Sequence, residues 1–502
     1  MDPAPARPEE VDSAAPESRR LAWGLAALLV VAAWRWGGLR AADGPYFAAA
    51  AAFLLLEALG LAGRAGPASL AGATLGAWSR DIFFWGGLLF IAYLGCQWWN
   101  AGRELVYDPA AQRWLYAPPR HPGCPWAIAR PEAAQMLHWF FPAWALGLAI
   151  RSPRMSRRGL ETLVLVLLAS AGTLAAVGLI EVLAGVRGKF WHMPPGCDSF
   201  ASFGYGNHAA AYFVLAAALA AGMLFREGFR RDRPANKRSL AGWIAVLFLC
   251  LTGANLSLSR TGVVLAGLLS AAIVGYGFIR GWRVLRPAAR FRWAAATAAG
   301  GVLLYFAVAG SGGTAIRSEF ALKRAPAAQL VPGWQEVNLD LSDRPRLWKT
   351  AWQVFKENPV YGTGGWGFRH LAAFHLPAAA QARWNRNVGR ANVHCDPLQF
   401  LTEFGLAGTG ALVLALGALL APLCRRRIVR GAVFTFAGLG LALTGAFSWI
   451  DLPFRCPAIL WTWTALLAAL PKLTAGRPDR LCDVPFHSPA ACRRDNPRNP
   501  QP

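Results

Sequence analysis

At 502 residues, with 55% hydrophobic and 16% charged side chains, the chain departs from the composition of soluble domains. Its formal charge of +24 is spread in short clusters between apolar blocks, not gathered on one soluble face, which excludes nucleic acid as a partner. Nine cysteines without CxxC pairs indicate neither a zinc cluster nor a dense disulfide framework.

Residues 1–20 are polar, rich in Pro and Ala, and followed by no clear cleavage site, so they read as a flexible cytoplasmic tail. Apolar spans follow near 21–36, 45–63, 81–98, 134–150, 160–183, 207–225, 240–257, 261–279, 293–310, 398–422, 431–450 and 457–471. Each is close to the roughly 20 residues that a helix needs to cross about 30 Å of hydrocarbon. The expected fold is therefore an all-α integral membrane protein of about twelve transmembrane helices. Its parts are an N-terminal bundle at 21–194, a region at 195–455, a last helix at 456–471 and a cytoplasmic C-terminal tail at 472–502.

With both termini inside, the basic loops at 151–158, 226–238, 280–292 and 424–430 all face the cytoplasm, as short Lys/Arg-rich loops do. Three longer segments then face outward, 99–133, 184–206 and 311–397. Cys124 and Cys197 fall in two of them, and a pairing between them stays open. The last segment is the large, partly helical periplasmic loop, for Leu347, Ala351, Val354 and Phe355 recur at helical spacing before Pro359. An amphipathic helix there has two resting places, the membrane surface or the top of the bundle.

Polar residues run straight into the tenth span in ANVHCDPLQFLTEFGLAGTG. Ionisable groups at the end of an apolar helix cost desolvation unless they face protein or a water-filled cleft, so they are functional candidates. Gln399 and Glu403 share a helical face that His394 can join from the preceding turn. The pKa of an imidazole lies near neutrality and suits it to taking a proton from an attacking hydroxyl, while a satisfied interfacial histidine is the plain alternative.

His394, Gly405, Gly408 and Thr409 are spaced like the O-antigen ligase signature, with Cys395 standing where an amide or hydroxyl residue is usual. The stretch from Ser259 and Arg260, the stretch holding Asn207 and His208, and RPRLWKTAWQVFKENPVYGTGGWGF resemble the same family in the expected order. The likeness covers roughly residues 195–455. It implies a membrane glycosyltransferase, an O-antigen ligase or polymerase, that moves a glycan from an undecaprenyl-diphosphate donor to a lipid or glycan acceptor such as lipid A-core. No cofactor and no metal would be required. The enzyme would sit in the cell inner membrane among membrane lipids, with its active site facing the periplasm.

Under that resemblance His394 is the catalytic base, and Arg260 and Arg344, with Arg346 as a secondary neighbour, bind the donor diphosphate through planar guanidinium donors. Arg260 has an alternative as an interfacial anchor, and Arg344 as a solvated loop residue. Asn207, His208, Gln399 and Glu403 are possible cavity-lining residues, although Asn207 is equally suited to capping a helix. Gly362, Gly364, Gly365 and Gly367 read as a turn, with close backbone approach to a phosphate or sugar as the alternative. Glu57 and Glu181 read as structurally paired or protonated carboxylates, and CQWWN and FSWIDLPF as interfacial anchors. A protein O-oligosaccharyltransferase and a secondary transporter remain as alternatives; for the transporter, key polar groups are expected nearer the midplane.

Overall fold

The computed structural model describes residues 15–61, 68–110, 112–186, 188–193, 199–229, 234–301, 344–375, 392–424 and 431–474. The helices are α1 (Ala15–Trp34), α2 (Gly44–Leu59), α3 (Ala68–Ser79), α4 (Ile82–Trp99), α5 (Arg130–Arg151), α6 (Arg157–Leu183), α7 (Gly206–Gly228), α8 (Lys237–Leu256) and α9 (Arg260–Val284). They continue with α10 at 287–301, then α11 (Arg344–Glu357), α12 (Gly367–Leu371), α13 (Asp396–Leu420), α14 (Ala432–Phe447) and α15 (Pro457–Thr474).

Among the described residues eight helices are long and apolar enough to cross a membrane, and α14 is a shorter apolar helix. The protein is thus a mostly helical, multi-pass membrane protein. Each of the predicted spans overlaps a helix, the ninth only through α10, because 302–310 lie outside the described residues. Besides the five-residue α12, two elements have no counterpart in the sequence reading. One is α3, whose run of Ala, Ser and Gly supplies no apolar block of membrane length. The other is an antiparallel hairpin of β1 (Leu105–Asp108) and β2 (Arg113–Tyr116), with Leu105 opposite Tyr116, which adds a small sheet to the expected all-α fold. Helix α1 also begins at Ala15, inside the segment read as a flexible tail. Cys197 lies outside the described residues, and Cys124 is a free thiol.

Helix α7 sits at the centre, and its sequence explains how. Its run AAAYFVLAAALAAG is buried almost all round, and its small side chains let neighbouring backbones approach closely. A Cβ at Gly440 of α14 would stand only 2.7 Å from the Ala218 methyl, and one at Gly222 only 3.0 Å from Val433. At one end of the bundle ion pairs tie helix ends together, Arg151 to Asp81 and Arg226 to Glu161, each at 2.6 Å. At the other end lie the hairpin, α11, α12 and the polar starts of α7, α9 and α13.

Helix α11 buries Leu347, Thr350, Ala351, Val354 and Phe355, the face its periodicity predicts. It rests on the bundle rather than on a membrane surface, for Thr402 of α13 donates its hydroxyl to the carbonyl of Ala351 at 3.3 Å.

Candidate functional site

The site is built around a carboxylate in the connection between α14 and α15. Asp451 is 1% exposed, and a charge removed from water needs partners. It has them: the amide of Leu452 donates to Oδ1 at 2.8 Å and the hydroxyl of Tyr205 to Oδ2 at 3.0 Å. The side-chain amide of Asn207 donates to the same oxygen. Nη2 of Arg344 stands 3.8 Å away, and another guanidinium nitrogen of Arg344 donates to the carbonyl of Ile450. Asn207 also donates to the Tyr205 hydroxyl at 2.7 Å, so that hydroxyl accepts one bond and gives another.

His394 completes the group. Its Nδ1 lies 3.4 Å from Oδ1 of Asp451. A carboxylate accepts but does not donate, so the contact favours the proton on Nδ1 and leaves the lone pair on Nε2. The residue sits just ahead of α13 with φ +54°, an uncommon conformation for a side chain with a Cβ. His208 joins through its Nε2, 3.1 Å from the carbonyl of Leu452. Burial by itself pushes the Asp451 carboxyl up; the hydrogen bond from His394 and the charge of Arg344 outweigh it and hold the group below the ordinary aspartate value. Burial first, and then the Asp451 charge, raise the Tyr205 hydroxyl well above its ordinary value, which keeps it a donor.

A second charged cluster lies deeper. Arg455 donates to Glu403 at 2.6 Å and comes within 3.9 Å of Asp396, and all three side chains are sealed from solvent. Gln399 donates to the other oxygen of Glu403 at 2.7 Å and accepts the amide of Val393 at 3.0 Å. The guanidinium packs on Trp366 and Phe400, 4.7 and 4.9 Å from the ring centroids. The carbonyl of Asp451 accepts from the amide of Asp396 at 3.3 Å, which makes the two clusters adjacent.

The Gly-rich turn fills a break in α13. At Gly405 the backbone leaves the helix, with φ +59° and ψ −167°, a region open essentially to glycine alone. The groups freed there are not left bare. The amides of Leu406 and Ala407 reach the carbonyls of Pro359 and Val360, at 2.8 and 3.0 Å, while Gly364 donates to the carbonyl of Glu403 at 2.8 Å. From α4, Tyr93 donates to the carbonyl of Phe404 at 2.7 Å and Gln97 to that of Glu403 at 3.2 Å. A Cβ at Gly362 or at Gly405 would collide with the opposing backbone. Residues 362–368 are all buried, so these glycines form a structural turn and offer no open cradle to a phosphate.

The structure therefore brings His394, Arg344, Asn207 and His208 together on Asp451, and Gln399 and Glu403 together on Arg455. Gln399 and Glu403, read as possible cavity-lining residues, are wholly buried around Arg455. Arg346 is exposed on α11. Arg260 begins α9, and Gly262, two residues on, packs against Ala210, which sets that helix start beside the start of α7. Glu181 is buried and accepts the amide of Phe190 at 3.2 Å; Glu57 is half-buried. Three participants were not singled out from sequence: Asp451, Tyr205 and Arg455. Trp449 is exposed, as an interfacial anchor should be, but Asp451 two residues later turns inward.

Residues 245–413 match the family model described as O-antigen ligase. The chain carries an O-antigen ligase domain. The match supports, in general terms, an O-antigen ligase- or polymerase-like membrane enzyme. Comparison with curated proteins finds no match. The ligase domain contains His394, Arg344 and Arg260, whereas Tyr205, Asn207, His208 and Asp451 lie outside the matched range.

Proposed function

We propose that the protein transfers a glycan from an undecaprenyl-diphosphate donor to an acceptor hydroxyl, with lipid A-core as the acceptor class, at the periplasmic face of the inner membrane. The observation that carries the reading is the approach of His394 to Asp451 beside Arg344, on segments far apart in sequence. Asp451 orients the imidazole, and Nε2 of His394 takes the proton of the acceptor hydroxyl. The acceptor oxygen bonds to the anomeric carbon as the bond from that carbon to the diphosphate oxygen breaks. Arg344 and Arg260 meet the charge of the departing diphosphate. Direct attack inverts the anomeric centre, and no metal is called on.

The functional region on this reading is 195–455, wider than the matched segment, because the partners of Asp451 lie on both sides of it. Joining lipid-linked repeats is the same reaction with a glycan on a second donor as acceptor, so product length separates polymerase from ligase. The test is transfer of labelled glycan from undecaprenyl diphosphate by the purified protein in lipid. His394→Ala should lose roughly 10²–10⁴-fold in rate while unfolding at the native temperature. Equal turnover by the variant would remove His394 from the chemistry.

A further inference from the structure

A cavity of about 290 Å³ lies at the same end of the bundle, outside the Asp451 cluster. It falls at the small end of ligand pockets, roughly 300–1,000 Å³, with room for about one ring. Trp34, Trp36 and Trp191 supply aromatic walls, with Phe190 at the margin. The cationic groups are Arg35 and Arg40, His192 adds an imidazole that can donate, and the described lining includes no carboxylate.

These walls are fixed. Trp34 donates its indole N–H to Ser170 at 2.9 Å, and Trp191 donates to the carbonyl of Trp34 at 2.8 Å. Arg35 is held in a fork by Asp43 at 3.0 and 2.7 Å, and Arg40 lies 5.5 Å from the centroid of the Trp36 ring. Two lining residues, Trp36 and His192, have φ of +56° and +52°. Backbone held in this sparsely populated region is common where a ligand is clamped. A Cβ built at Gly204 would stand 4.0 Å from the Trp36 ring, and the next residue is Tyr205, whose hydroxyl holds Asp451.

We propose that this cavity binds a sugar ring carrying an anionic substituent, phosphate or carboxylate, and so forms a glycan subsite beside the reaction centre. Indole faces are electron-rich and receive the C–H faces of a pyranose, and Arg40 and His192 supply donors for the anion. Lipid or protein ligands fit less well: a lipid tail needs no cationic wall, and a peptide needs a longer groove. The inference rests on glycan transfer as the reaction, but its test does not.

Saturation-transfer NMR on the full protein in lipid, with glucose 6-phosphate as probe and glucose and inorganic phosphate as its separate halves, reads binding without turnover. The expected result is transfer to the ring protons of glucose 6-phosphate, incompletely displaced by inorganic phosphate. Arg40→Ala and Phe190→Ala change exposed side chains and should each weaken binding, the arginine by about tenfold, while His394→Ala binds as the native chain does. Absent binding, unchanged binding in both variants, or full displacement by phosphate would overturn the subsite. A chain that transfers glycan without binding the probe loses the subsite alone; one that binds the probe without transferring glycan loses the reaction alone. In the transfer assay, competition by glucose 6-phosphate against the acceptor, or against the donor, assigns which glycan the cavity holds.

Discussion

Arg344 and Arg455 each face a fully buried carboxylate in neighbouring parts of the molecule, yet their surroundings differ in what decides use. Arg455 is 2% exposed, lies within ion-pair distance of both Glu403 and Asp396, and has its flat faces covered by aromatic rings. Arg344 is 13% exposed, stands 3.8 Å from a carboxylate that four other donors already engage, and adjoins a histidine 16% exposed. Charge alone therefore does not mark a reaction site. Sealed charges are spent on each other and on the fold; half-open ones retain donors for an incoming group.

The largest test of that contrast is Arg455→Ala. Removing one partner of a buried pair leaves Glu403 without its cation, at a cost of roughly 3–5 kcal/mol, and the protein should lose most of its thermal stability in lipid. Replacing both partners with apolar residues, Arg455→Met with Glu403→Leu, should recover much of the loss, because buried pairs of this kind add little net stability over well-packed hydrophobes. If the double variant is stable but no longer transfers glycan, the division between a structural and a chemical cluster fails.

Gly405→Ala is the next largest. The backbone there is strained for any residue with a Cβ, by about 1–3 kcal/mol, and the added methyl would meet the carbonyl of Val360. The break, the Gly-rich turn and the Tyr93 and Gln97 bonds should loosen together, seen as faster amide exchange at 362–367. Protection equal to the native protein would show that the turn does not depend on the break.

How much of this could be read from the chain follows from the range of each signal. Membrane helices declare themselves by length and polarity over about 20 residues, and α11 by Leu347, Ala351, Val354 and Phe355, so both were legible. The break in α13 was not, since a glycine in an apolar run does not announce its ψ. Its reason lies in residues 359–364, some forty positions earlier. Asp451 and Arg455 were hidden by their tryptophan-rich setting, although ionisable residues beside an apolar span are suspect by default. That rule, applied to Glu57 and Glu181, would have selected them too. Their partners were beyond reach: Asp451 meets Tyr205 across 246 positions and His394 across 57.

Asp451→Asn tests the open cluster itself. The amide keeps the shape but turns a charged acceptor into a neutral one. The loss should be about 1.5–3 kcal/mol in the transfer barrier, the worth of hydrogen bonds to a charged group. The sign of the pH effect follows from Asp451 being held below the ordinary aspartate value in the folded protein. Its contribution to stability is fully present above that ordinary value and disappears as pH falls through the folded one. Unfolding temperatures of the native protein and Asp451→Asn should therefore diverge most above the carboxylate range and converge below it. Divergence that persists in acid would mean Asp451 is not charged in the fold.

The smallest expected effect sharpens the comparison most finely, because it falls between residues two positions apart. Arg344 and Arg346 share the first turn of α11, but only Arg344 reaches the bundle, through the Ile450 carbonyl and the Asp451 carboxylate. Arg346 points to solvent, where single substitutions usually change stability by no more than about 0.5 kcal/mol. Arg346→Ala should leave transfer nearly unchanged, while Arg344→Ala raises the donor KM or lowers kcat. Arg344→Lys would separate charge from shape, since lysine restores a cation but not a planar fork able to hold a carbonyl and a carboxylate together. Rescue by lysine would make Arg344 a point charge; no rescue would make its two-armed placement between the loop and the donor diphosphate the property that matters. Equal losses at Arg344 and Arg346 would instead point to the basic charge of the whole helix turn, and the distinction between half-buried and exposed arginine would carry no chemical meaning here.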